Sequence, residues 1–167
     1  MAANRSYEGD VLIGPLYFLA LLLVITPTID FVTGVQPLAF DNLQWRFGAV
    51  GLLAGFLLTP LFGIILAIGV AHYADHWVMQ RVIAVVNLVI AGVFLALLVL
   101  FVLDTLQLKN LVQEENAAQF TAAAWKALLK HSLFVIVVAW FGIAGFRIRK
   151  PARAQTSGFG SLVAGTR

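Results

Sequence analysis

Cysteine is absent from this 167-residue chain, which excludes disulfides, thiolate metal centres, reactive thiols and palmitoylated anchors. The redox compartment therefore leaves no mark. Charge is nearly as scarce: Asp, Glu, Lys and Arg make up 11% of the residues, against roughly 25% in soluble globular domains. A water-facing surface of ordinary polarity cannot be built from so few. Also missing are a glycine-rich nucleotide loop, a Gly-x-Ser-x-Gly elbow, a His-Glu-x-x-His pair and carboxylates set deep in a pocket. Together these absences point away from an enzyme, with no catalytic residues to name.

Apolar sequence fills the space. Hydrophobic residues account for 61%, and they come in blocks near or above the roughly 20 residues that span a bilayer as helix. The expectation is an all-α polytopic membrane protein in which lipid replaces water as solvent. One transmembrane domain, 1–153, holds four helices at about 11–29, 47–73, 78–103 and 128–146, and a mobile tail covers 154–167. Arg5 before the run from Val11 resembles a signal peptide, but Glu8 and Asp10 are acidic where such a peptide is basic. The run also ends at Thr26-Pro27-Thr28 without a small-x-small site, so it reads as helix one.

Helix two lies in the charge-free interval between Arg46 and Asp75, with Pro60 predicting a bend. Between helices three and four, Thr105 to Lys130 contains neither glycine nor proline. Leu108, Leu111, Ala118, Ala122, Trp125 and Leu129 recur there at spacings of three and four, the pattern of an amphipathic extramembrane helical segment. It either continues helix three and folds back or lies along the membrane surface. With both termini cytoplasmic, that side holds seven basic residues against four opposite, as the positive-inside rule requires. Trp45, Tyr73, Trp77, Trp125 and Trp140 fall near predicted helix ends, where interfacial aromatic belts lie. The pI of 9.6 reflects this topology signal and not nucleic-acid binding.

Few residues suggest chemistry. Gly48, Gly51, Gly55 and Asn87 read as helix-packing positions: Gly51-x-x-x-Gly55 permits close backbone approach, and a lone intramembrane Asn bonds across to another helix. His72 and His76 share a face if the intervening turn stays helical, a spacing that lets two imidazoles hold one metal ion, although two ligands are too few. With His131 they are also the available axial nitrogens for haem or a chlorophyll-type pigment, but all three sit at predicted helix ends. The bland reading, membrane-edge turns with no metal and no cofactor, competes with each. Arg147, Arg149, Lys150 and Arg153 form a basic end facing anionic lipid or an acidic partner. No Asp, Glu, Lys or Arg is expected in the membrane interior, which argues against a pump.

Ile29-Asp30, Pro37 through Phe40, Trp45-x-Phe47, Pro60-Leu61-x-Gly63 and Leu103-Asp104-x-Leu106 carry a resemblance. Over about Ile25 to Arg149 the layout resembles the small four-helix membrane proteins associated with hormogonium polysaccharide production. That resemblance implies an accessory membrane protein and transfers no site residue. The functional expectation is a non-enzymatic accessory or scaffold subunit packed against other integral membrane proteins in a bacterial inner membrane, cytoplasmic or intracytoplasmic. By analogy with small subunits of energy-converting assemblies, the partner could be a photosynthetic reaction-centre or antenna complex. The alternative is a small oligomeric transporter or a polysaccharide or lipid export accessory, with Thr26, Thr59 and Asn87 as its thin polar path.

Overall fold

The computed structural model describes residues 4–147, and the side chains of 11–147. The expected tail 154–167 and Arg149, Lys150 and Arg153 lie outside the described residues, while Arg147 ends the last helix, exposed. The described chain is helical throughout: α1 (Asn4–Gly34), α2 (Leu43–Phe56), α3 (Leu58–Tyr73), α4 (Trp77–Lys109) and α5 (Glu114–Arg147).

Helix α1 runs past its expected end at Ile29 to Gly34 and carries Pro15 and Pro27 inside it. Interior prolines are tolerated in apolar surroundings where nearby hydroxyls supply alternative hydrogen bonds. Here the Thr28 hydroxyl donates to the Val24 carbonyl at 2.7 Å, within the turn that Pro27 interrupts. Asn42 then caps α2, its Oδ1 accepting from the amides of Gln44 and Trp45, which satisfies two donors that the first helical turn leaves orphaned.

The expected second helix is two, α2 and α3, meeting at 46°. Pro60 cannot donate to the Phe56 carbonyl, and its ring crowds the preceding turn. The break accordingly falls at Leu57, ahead of the proline. After α3 the chain reverses through Ala74 and Asp75, the latter left-handed at φ 52°.

Helices α4 and α5 form an antiparallel hairpin that makes the most extensive packing in the molecule. Along α4 the buried positions Gln80, Ala84, Asn87, Ala91, Phe101, Asp104 and Leu108 recur every three or four residues, with one gap of ten after Ala91. Ala124, Ala127, His131, Phe134, Val138 and Gly142 do so along α5. Such stripes place one face of each helix in the seam. A Cβ at Gly142 would meet Leu88 Cδ2 at 2.7 Å, and one at Gly145 would meet Ala84 Cβ at 2.6 Å. These glycines let the two backbones close up. On the other side α1 packs along α3, where a Cβ at Gly63 would lie 2.7 Å from the Ala20 carbonyl oxygen.

The segment from Thr105 to Lys130 is not one helix. Thr105 to Lys109 finish α4, a turn occupies 110–113, and α5 begins at Glu114, well before the expected start at 128. Glu114 and Glu115 lie in the first turn of α5, where carboxylates favour the positive end of the helix dipole. Three helices are long and apolar enough to cross a membrane: the part of α1 from Val11, α4 and α5. Crossings number up to four if the bent α2–α3 pair makes one.

Candidate functional site

The most polar junction between helices lies where the start of α2 meets the end of α4. Arg46 grips Asp104 with two parallel bonds: Nε donates to Oδ2 at 3.0 Å and Nη2 to Oδ1 at 2.9 Å, while Nη1 donates to the Phe40 carbonyl at 3.1 Å. The Asp104 side chain is only 9% exposed and that of Arg46 39%. This fork geometry is the strong form of the Arg–carboxylate pair. Beside it, the Trp45 indole donates to the Val35 carbonyl at 3.0 Å, tying the end of α1 to the start of α2. Asp104 thus receives Arg46 across α2 and α4.

Roughly two helical turns deeper along the same seam, His131 is fully buried in the middle of α5, not at a helix end as expected. Its Nδ1 lies 2.9 Å from the Ala127 carbonyl. A carbonyl only accepts, so Nδ1 carries the proton and Nε2 keeps a bare lone pair, for which no partner is present. The imidazole lies beside the rings of Phe94 and Phe101, at centroid separations of 6.0 and 6.4 Å. An Nε2 lone pair with Nδ1–H held by a backbone carbonyl has the donor chemistry of an axial ligand. The packing does not match it: the side chain is wholly enclosed, and a haem or flat pigment would have to displace its neighbours.

Asn87 is buried at 1% exposure on the core stripe of α4, with Nδ2 unpartnered. The interhelical bond expected of it is not made among the described residues. Gln80 makes one instead, Nε2 donating to the Ala71 carbonyl at 3.0 Å across α3 and α4. The histidine pair fails on geometry. Because Asp75 turns left-handed, His72 ends in α3 while His76 caps α4, so the i, i+4 face that would join two imidazoles never forms. His76 instead stacks on Tyr17, with ring centroids 6.2 Å apart and Nδ1 3.4 Å from the phenol oxygen. Among the described residues no three His, Cys, Asp or Glu side chains could hold a metal ion together.

Gly48, Gly51 and Gly55 are exposed, and a Cβ on any of them would meet nothing within 4 Å. Internal close packing is carried by Gly63, Gly142 and Gly145, which the sequence reading did not single out. The pair Gly142-x-x-Gly145 facing Ala84 was the available signal, since small residues three apart mark a helix contact as well as those four apart. Trp140 lies seven residues inside the end of α5 and is 71% exposed. At the same end of the hairpin Arg81 lies over the Trp77 ring at 5.4 Å, a cation–π contact. Comparison of the chain with protein-family models, with curated proteins and with solved structures finds no match.

Proposed function

We propose that this protein is a non-enzymatic accessory or scaffold subunit that packs against another integral membrane protein through the outer face of α2. The observation that carries this reading is the glycine trio. Gly48, Gly51 and Gly55 lie on open surface although each glycine weakens a helix by about 1 kcal/mol relative to alanine. That cost has no return inside the chain, whereas a second helix laid on this face gains close backbone contact.

In this reading α1, the bent α2–α3 pair, α4 and α5 make four crossings of a bacterial inner membrane. An even number returns both termini to the cytoplasm, as the basic bias of Arg5, Arg81, Arg147, Arg149, Lys150 and Arg153 favours. The α4–α5 turn then stands on the far side.

Gentle detergent extraction of the native membrane, size separation, an absorption spectrum and mass spectrometry test the proposal. A larger complex containing a second membrane protein is expected, and Gly51→Leu should release this chain from it without lowering its own Tm. A lone colourless monomer with no companion overturns it. A second reading, an oligomeric transport or export component, draws on the unpartnered polar atoms of Asn87 and Gln80. It predicts that Asn87→Leu abolishes function, whereas the scaffold reading predicts little change.

A further inference from the structure

At the loop end of the α4–α5 hairpin the two helices diverge around a groove of about 270 Å³. Its walls are Phe101, Val102 and Leu106 on α4 and Phe120, Ala124 and Leu128 on α5. Sequence accounts for part of the space: Ala124 puts a short, buried side chain on the α5 wall of the seam. From Phe101 to Lys109 the groove follows about 12 Å of helix at 1.5 Å per residue. The two hydroxyls in it are spoken for, Thr105 donating to the Phe101 carbonyl and Thr121 to the Ala117 carbonyl, each at 2.7 Å. Neither is left to donate to an occupant, so the inner part suits hydrocarbon.

The outer rim has a different character. Lys109 lines it together with Trp125, which is 58% exposed. The only ion pair among the described residues is Arg46–Asp104, so the Lys109 ammonium has no carboxylate beside it. A lysine in the last turn of a helix complements the dipole, and that accounts for its charge. It does not account for an apolar trough leading away from it, flanked by an indole of the kind that settles at headgroup depth.

We propose that this groove holds one anionic phospholipid, with an acyl chain lying between α4 and α5, the phosphate on the Lys109 ammonium and the Trp125 indole at the level of the glycerol backbone. Charge complementarity selects the headgroup, and burial of methylenes in the groove holds the chain. Helix α2 touches two of the groove walls through Phe47, which stacks on Phe101 and Phe120 at 5.2 and 4.9 Å, whereas Gly48, Gly51 and Gly55 are not among the lining residues.

Native mass spectrometry of the full chain in mild detergent tests the proposal, with phosphatidylglycerol and phosphatidylcholine of matched chains as probes. Saturable retention of one phosphatidylglycerol, favoured over phosphatidylcholine, is expected. Lys109→Gln should reduce that preference about five-fold, the weight of one lysine against an anionic headgroup, while Lys130→Gln, outside the groove, leaves it unchanged. Thr121→Phe fills the trough and should remove retention of both lipids. The proposal is overturned if Lys109→Gln leaves the preference intact or if lipids add without saturating. It is equally overturned if a free fatty acid or a protein segment is what Thr121→Phe displaces.

Discussion

Arg46 and Asp104 show how unequal the two halves of an ion pair are. Asp104 is nearly enclosed and Arg46 more than a third exposed, so removing the arginine strands a buried carboxylate, whereas removing the carboxylate lets the arginine turn to water. Arg46→Met is therefore expected to lower Tm by more than Asp104→Asn does. The double variant should be less destabilised than the two losses summed, read as Tm in detergent. His131 makes the opposite case. Its Nε2 is buried without a partner, a state that costs about 1–3 kcal/mol, so His131→Leu should leave Tm unchanged or raise it. A lowered Tm together with loss of visible absorbance from the purified complex would instead mark the imidazole as a pigment ligand.

Elements are governed by backbone geometry. At the α3–α4 turn Asp75 adopts φ 52°, a conformation that costs an L-residue roughly 1–2 kcal/mol and glycine little. Asp75→Gly should therefore stabilise the turn, whereas Asp75→Val should destabilise it; thermal unfolding in detergent distinguishes them. Glycines on helix faces divide in the same way. Gly63→Ala drives a methyl onto the Ala20 backbone oxygen at 2.7 Å, where no side-chain rotation relieves it, and overpacking of this kind costs about 1–3 kcal/mol. Gly51→Ala meets open space and should be neutral or stabilising in the isolated protein. The bend at Leu57 follows from Pro60, so Pro60→Ala should straighten α2 into α3, seen as a longer distance between spin labels at positions 48 and 69.

For the whole molecule, the hairpin of α4 and α5 is the frame, with α2 fastened to it at one end by Arg46–Asp104 and α1 attached through α3. Apolar packing is concentrated in that frame: one buried cluster joins Leu57, Ile64, Ala91, Phe134 and Val138, another Ala54, Phe101 and Ala127. Helix α1 makes its main contact with α3 alone. It is expected to exchange amide hydrogens and to be cleaved ahead of the hairpin when the detergent is weakened, an order that hydrogen exchange resolved by peptide would read.

Composition and local pattern were enough for the all-helical class and for the presence of long apolar helices. Sparse charge and long apolar blocks give helices long and apolar enough to cross a membrane, and Pro60, without an amide to donate, breaks the second block ahead of itself; these properties are summed or local, so the sequence carries them. Helix limits were less legible. Gly34 and Glu114 extend α1 and α5 well beyond the apolar runs, because a helix continues through polar residues until a cap or turn stops it. Pairing was not legible at all. Arg46 finds Asp104 58 residues away, His131 is drawn into the middle of a seam, and Gly142 and Gly145, rather than Gly51 and Gly55, carry the internal contact. Each depends on the register of one helix against another, and in surroundings as apolar as the side chains themselves, register is set by shape and by a few polar bonds that exist only once the helices have met.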